Sequence, residues 1–384
     1  MRAQELATKW FESFSRYAAD LYPGRYTPEF CLALAEQALE VKALATLKRS
    51  VIAAHYYQYP ELQEVADLVG DSLKLALGVR DAHAKRVDFS SVHFMGATAK
   101  IILGDATRVF VQGTPAVHGC SLVFGTDHKW IERWKAKNPG GVCVTYINSD
   151  VRTKVLSEYI STSRNTAAVI ARAAREHTGQ ILVLPDKFLG HAMRAQAVRE
   201  HGVDPSRVEV YANPFGGHHA SCYVHEKIGD DAPERALEQY EDAELMFHPE
   251  CSCSSSCLLK LEQGILPKDR VYYISTEGML ERARKSPARR FIVGTELGMI
   301  YQLRKRMPEK EFIPVSSEAV CGFMKQNTLS KLLASLKSDH YEIVLDETSD
   351  PLTETVDEEC GVIRINRIAA DAARAGVMRM LETI

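Results

Sequence analysis

The chain has no long basic run, and its charges nearly cancel. Lys plus Arg number 47 and Asp plus Glu 50, for a formal net charge of −3. Nucleic acid is therefore not an expected partner, since phosphate binding relies on clustered cations. No apolar stretch approaches the roughly 20 residues that cross a bilayer. The start, Met1-Arg2-Ala3-Gln4-Glu5, is polar and acidic and lacks the apolar core of a secretory signal, so the expected location is cytoplasmic. Nine cysteines without such a signal read as reduced thiols, buried residues or metal ligands rather than a disulfide framework. With 384 residues, 46% of them hydrophobic, the chain is long enough for two or three domains with buried cores.

Three of the cysteines are nearly evenly spaced. Cys120 stands in His-Gly-Cys-Ser-Leu, Cys222 opens Cys-Tyr-Val-His-Glu-Lys, and Cys321 opens Cys-Gly-Phe-Met-Lys-Gln-Asn-Thr-Leu, with gaps of 102 and 99 residues. The spacing suggests three similar units, each bringing one thiolate to a common point. Three thiolates suit three irons of a [4Fe-4S] cluster and leave the fourth iron open as a Lewis acid.

The surroundings repeat as well. Val51-Ile52-Ala53-Ala54 runs into His55-Tyr56-Tyr57-Gln58, with Ser72 following 17 residues after His55. Val142-Cys143-Val144-Thr145 runs into Tyr146-Ile147-Asn148, with Ser163 following 17 residues after Tyr146. Leu245-Met246-Phe247 runs into His248-Pro249-Glu250-Cys251, with Ser275-Thr276 beyond. A buried-strand signal that ends in polar groups marks a ligand site at the carboxyl ends of α/β strands.

Periodicity predicts alternating strands and helices. Residues 1–47 read as a helical extension, with Leu6, Trp10, Phe14, Ala18 and Leu21 at helical spacing and Thr27-Pro28 as a helix start. Strands are expected at Val51–Ala54, Val87–Phe94, Arg108–Val111, Val142–Tyr146, Ile181–Leu184, Val208–Tyr211, Leu245–Phe247, Val271–Ile274, Phe291–Val293 and Phe312–Val315. Helices between them imply an α/β fold with parallel sheets. Asp346–Glu359 reads as a loop and Ile368–Ile384 as a closing amphipathic helix.

The ordered blocks Ala54-His55-Tyr56-Tyr57-Gln58, Gly70-Asp71-Ser72-Leu73, Phe94-Met95, Gly119-Cys120-Ser121-Leu122, Tyr146-Ile147-Asn148, Pro185-Asp186, Cys222 through Val224-His225-Glu226-Lys227, His248-Pro249-Glu250-Cys251, Gly294-Thr295-Glu296 and Cys321 through Met324-Lys325 to Asn327-Thr328-Leu329 together make the chain resemble the A-type quinolinate synthase family of bacterial NAD biosynthesis. The resemblance covers roughly residues 48–337. It implies three similar αβα domains around a pseudo-threefold axis, with the cluster at their junction. The expected division is 1–47 as the extension, 48–125 plus 325–384 as domain 1, 126–225 as domain 2 and 226–324 as domain 3.

The resemblance also implies a transferase that condenses iminoaspartate with dihydroxyacetone phosphate to quinolinate, phosphate and water. Its cofactor would be a [4Fe-4S] cluster held by Cys120, Cys222 and Cys321. Iminoaspartate is unstable in water, so an aspartate oxidase or dehydrogenase would have to supply it. The anionic substrates call for donors, and Ser72, Ser163, Ser275, Thr276, His55 and His225 are the candidates; the hydroxyl residues would equally serve as helix caps. Tyr146 and Asn148 are expected to hydrogen-bond substrate. Glu250 is the candidate general base, with His248 binding substrate or sharing the proton. His55 and Tyr57 complete the catalytic set, Tyr57 on the expectation that a cationic or metal-bound neighbour lowers its pKa.

The chain departs from the family pattern at Gly96-Ala97, at Pro115 to His118, at Val123-Phe124 and at Tyr301, and it carries extra length around Gly216-Gly217-His218-His219. Cys251, Cys253 and Cys257 are dense enough to suggest zinc, redox pairing or a variant loop. They support one alternative, a non-catalytic zinc or redox-sensing protein. The other is a [4Fe-4S] hydro-lyase acting on a different small acid. Cys31, Cys143 and Cys360 read as packing residues.

Overall fold

The computed structural model describes residues 2–212, 221–350 and 354–382; Gly216-Gly217-His218-His219 lie outside them. Twelve strands fall into three quartets. The first is β1 (Ser50–His55), β2 (Leu68–Gly70), β3 (Arg86–Ser90) and β4 (Arg108–Val111). The second is β5 (Val142–Tyr146), β6 (Tyr159–Ser161), β7 (Ile181–Leu184) and β8 (Val208–Val210). The third is β9 (Glu244–Phe247), β10 (Val271–Tyr273), β11 (Arg290–Gly294) and β12 (Glu311–Pro314). Each quartet has the same spatial order, second–first–third–fourth, and every pair within it is parallel.

The physical reason lies in the strands themselves. β5, β7 and β9 are buried along their whole length. Uninterrupted apolar runs need cover on both faces, and the connecting helices supply it. The last strands, β13 (Glu342–Asp346), β14 (Thr355–Asp357) and β15 (Val362–Asn366), extend the first sheet to seven. β13 runs antiparallel to β4, and β14 antiparallel to β15, so this sheet is mixed where the sequence suggested parallel pairing throughout.

Other differences have local causes. The apolar run Val87–Phe94 is a strand only to Ser90; the helix His93–Leu103 begins three residues later, and both elements are buried, so composition does not mark the break. β14 interrupts the stretch expected as a loop. The closing helix is Arg367–Glu382.

The N-terminal extension is a pair of helices, α1 (Ala3–Tyr17) and α2 (Pro28–Leu47). Thr27 caps α2, its hydroxyl accepting from the Phe30 N–H at 3.1 Å, with Pro28 at the first helical position. Trp10, Phe14 and Leu21 turn inward and share one core with Ile52 of β1, Phe291 of β11 and Leu329 and Leu332 of the helix Leu329–Ser338. The extension thus packs where the first and third units meet. Among the described residues no helix is long and apolar enough to cross a membrane.

Candidate active site

The three units aim the ends of corresponding strands at one cavity. The first strands β1, β5 and β9 end beside His55 and Tyr57, Tyr146 and Asn148, and His248 and Glu250. The second strands lead to Ser72, to Ser163 with Arg164, and to Thr276. The loops after the fourth strands carry Cys120, Cys222 and Cys321. All of these residues line the cavity. Ser275 and His225, also candidates, stand behind the wall. Ser275 caps the helix Thr276–Lys285 and accepts from Arg164 Nε at 3.1 Å. Ser72 and Ser163 are not caps, since Asp71 and Asn165 hold those positions; Ser72 Oγ is bonded to Asn148, and Ser163 lines the cavity.

One chain of polar contacts crosses all three units. Ser72 Oγ donates to Asn148 Oδ1 at 3.1 Å, and Asn148 Nδ2 donates to Glu250 Oε1 at 3.2 Å. Glu250 Oε2 lies 3.0 Å from His225 Nδ1. His225 Nε2 meets Thr295 Oγ1 at 3.0 Å, and Thr295 Oγ1 meets Tyr57 Oη at 2.7 Å. His248 stacks on His225 with ring centres 4.9 Å apart. Two histidines are oriented alike: His55 Nδ1 accepts the Tyr57 N–H at 3.1 Å and His248 Nδ1 the Glu250 N–H at 3.4 Å. Each imidazole is left free to present Nε2–H.

Burial sets the protonation states. It pulls His55 down to about 3 and His248 down to about 4, against the opposing pull of Glu250. Burial alone would raise Glu250, but His248, His225 and the Tyr146 hydroxyl outweigh it and bring the carboxyl down to about 2. At neutral pH the site therefore holds neutral His55 and His248 beside an ionised Glu250. Tyr57 departs from expectation. Burial first, and then the Glu250 charge, raise its phenol well above the usual value, because the charged neighbours acting on it are anionic. Within the protein's own environment Tyr57 is a proton donor, not a phenolate.

The three thiols fit a cationic metal group. Each is half-buried at the cavity, and desolvation raises Cys120 to about 12, Cys321 to about 11 and Cys222 well above its usual value. Cys120 and Cys222 are pushed up further by the other thiols. Protein N–H groups work the other way: those of Leu122 and Val123 favour the Cys120 thiolate, that of His225 the Cys222 thiolate and that of Met324 the Cys321 thiolate. Thiols that destabilise one another as anions, yet are each given backbone donors, are arranged for a metal that takes up their charge. Cys222, His225 and Glu250 also place ligand atoms within 4.8 Å of one another. His225 and Glu250 are already engaged with each other and with Thr295, so the thiol set is the freer one.

Sequence reading missed several supporting residues. Arg164, the one arginine or lysine among the described lining residues, stands beside Ser163 and Thr276, where an anion would need it. Asp186 caps the helix Lys187–His201 through Leu189 N–H and accepts the Cys222 N–H at 3.1 Å. Glu296 does the same in the third unit, capping Leu297–Arg306 through Gly298 N–H and accepting the Cys321 N–H at 3.3 Å. An acid just after an apolar strand and before a helix was the available signal.

Cys251, Cys253 and Cys257 are fully buried in the third unit and do not line the cavity. Cys251 Sγ lies 2.6 Å from Cys253 Sγ, and Cys253 Sγ 3.3 Å from Tyr273 Oη. Burial raises Cys253 well above its usual value, and Cys257 is raised by its Cys253 contact and by burial. Among the described residues they form no grouping tight enough for one metal ion. Cys31 and Cys143 are buried, whereas Cys360 is exposed and is not a packing residue.

The departures from the family pattern find steric causes. A side chain at Gly96 would come within 2.4 Å of Val111 on β4, so glycine there lets this helix pack closely against the sheet. His118 is buried against Gly113, and its carbonyl accepts the His93 N–H at 2.7 Å. Phe124 packs edge-on against Phe323 with centres 5.7 Å apart. Tyr301 is buried, bonds Glu64 at 2.7 Å and packs against Phe14 of α1.

A family model described as quinolinate synthetase A protein matches residues 39–382. The quinolinate synthase of Pyrobaculum aerophilum is 38% identical over 309 residues, which is 80% of this chain and 93% of that one. That of Mycolicibacterium paratuberculosis is 39% identical over 313 residues, 81% of this chain and 84% of that one. That of a strain of Thermus thermophilus is 38% identical over 312 residues, 81% of this chain and 92% of that one.

Proposed function

Because the chain belongs to the quinolinate synthase A family, an iron–sulfur family of NAD biosynthesis, we propose that it condenses iminoaspartate with dihydroxyacetone phosphate at the three-unit cavity. The observation that carries this reading is the placement of one cysteine from each repeated sheet on the same cavity as the Glu250–His248 pair. The products are quinolinate, one phosphate and two waters, which balances the atoms of the two substrates. The domain division 1–47, 48–125 with 325–384, 126–225 and 226–324 belongs to the same proposal, supported by the sheet to which each strand belongs.

Cys120, Cys222 and Cys321 would hold a [4Fe-4S] cluster. When bound, that cluster supplies an open iron that polarises a carbonyl or hydroxyl oxygen. The protein supplies the rest. Arg164 with Ser163, Ser72 and Thr276 receives the carboxylates and the phosphate. Tyr146 and Asn148 hold the substrate backbone, and His55 offers Nε2–H.

Glu250, ionised at neutral pH and lining the cavity, takes the substrate proton. His248 accepts the Glu250 N–H at Nδ1, so it offers Nε2–H to the substrate as a hydrogen-bond donor. Tyr57, protonated and backed by Thr295 and His225, donates to a departing hydroxyl. Iminoaspartate hydrolyses in water, so an aspartate oxidase or dehydrogenase must act close by.

The test is quinolinate formation by anaerobically reconstituted protein given dihydroxyacetone phosphate and freshly generated iminoaspartate. Product that appears only with the reconstituted cluster is the expected result. No product from protein that holds the cluster, with turnover of another hydroxy acid in its place, would sink the assignment.

A further inference from the structure

We infer that Tyr22, in the N-terminal extension, is a positioning residue for the active site and acts through Lys325. The matched family segment begins at residue 39, so Tyr22 lies outside it. Yet Tyr22 reaches the site in one step. Its Oη accepts from Lys325 Nζ at 3.0 Å. The same ammonium donates to the Tyr57 carbonyl at 2.6 Å and pairs with Glu296 Oε1 at 2.9 Å. An ammonium has three hydrogens, and these are its three acceptors. They come from three places: the extension, the end of β1 and the end of β11.

Each partner leads to chemistry. Tyr57 lines the cavity and is the proposed donor. Glu296 accepts the backbone N–H of Cys321, a proposed cluster ligand. Lys325 is only 6% exposed, so water cannot replace a lost acceptor. The Tyr22 and Tyr59 rings enclose it, with centres 5.1 and 4.9 Å from Nζ. Without the Tyr22 oxygen one buried charged donor is orphaned, and the ammonium must turn to satisfy it. That turn moves the Tyr57 backbone and the Cys321 loop together. The extension therefore sets the geometry of the site as well as covering a core.

The inference rests on the proposed cluster assignment, and the test separates the two. Tyr22→Phe and Phe14→Leu are compared with wild type in the full chain; Phe14 is fully buried in the same extension, packed against Trp10, Tyr26 and Tyr301. In reconstituted protein, Tyr22→Phe should lower kcat about ten-fold through misplacement of Tyr57, and it should shift the g values of the reduced cluster. In cluster-free protein, it should raise alkylation of Cys321 relative to Cys120 several-fold, read by mass spectrometry. Phe14→Leu should lower the melting temperature and leave all three readouts unchanged. If Tyr22→Phe changes only the melting temperature, or nothing, the inference is wrong. If wild type binds no cluster, the cluster assignment fails, and the alkylation ratio still decides the role of Tyr22.

Discussion

Replacing Cys120, Cys222 or Cys321 singly with serine is expected to abolish iron–sulfur absorption and quinolinate formation, while Cys253→Ala keeps both within about two-fold. The three thiols converge from equivalent loops, and backbone donors favour each one's anionic form. A serine hydroxyl is a poor ligand for iron, and a cluster held by two thiolates does not survive in such a site. Cys253 sits among apolar neighbours with its thiol protonated, so its loss is a packing change costing roughly 1–3 kcal/mol. Iron and acid-labile sulfide per chain, measured after identical anaerobic reconstitution, are the check. Loss of iron in Cys253→Ala with retention in Cys120→Ser would reverse the ligand assignment.

Glu250→Gln is expected to lower kcat by about 10²–10⁴, the range lost when acid–base catalysis is removed, with iron content unchanged. Glutamine keeps the shape and loses the charge. Asn148 Nδ2 donates to one carboxylate oxygen, and His225 Nδ1 lies against the other. An amide cannot accept at both positions, so one contact becomes donor against donor. An amide also cannot take up the substrate proton. The KM for dihydroxyacetone phosphate should change little, because in the proposed reading Arg164 and the hydroxyl groups, not Glu250, receive the phosphate. An unchanged kcat with a raised KM would assign Glu250 to binding alone.

Much of this site was legible in the sequence because α/β sheets place strand ends at ligands, and the strand ends repeat. His55 and Tyr57, Tyr146 and Asn148, and His248 and Glu250 each follow an apolar run directly, and the structure gathers all six on one cavity. β2 and β6 were not legible, whereas the equally short β8 and β10 were, because those two begin the β-rich runs Val208–Tyr211 and Val271–Ile274. Nor was the return of β13 to pair antiparallel with β4, a contact between segments more than 200 residues apart that no local pattern encodes. Asp186 and Glu296 read as ordinary helix caps; their second role, holding a cysteine backbone, needs the tertiary structure.

Tyr301 shows how a departure can be explained from its surroundings. Its ring fills space against Phe14 of α1, so a position that departs from the family pattern is matched to the N-terminal helical pair. The raised Tyr57 phenol has a similar lesson. Sequence identifies a tyrosine near a site, but the sign of its shift depends on which charges surround it, and here they are Glu250, Cys222 and Glu296.

The most direct measurement is electron–nuclear double resonance on the reduced, reconstituted enzyme with ¹⁷O-labelled substrate. The account predicts ¹⁷O coupling to the cluster in wild type, because three cysteines leave one iron open toward the cavity lined by Glu250, His248 and Tyr57. A cluster that shows no ¹⁷O coupling during turnover would contradict it, since the iron would then be fully ligated by protein and the chemistry would lie elsewhere.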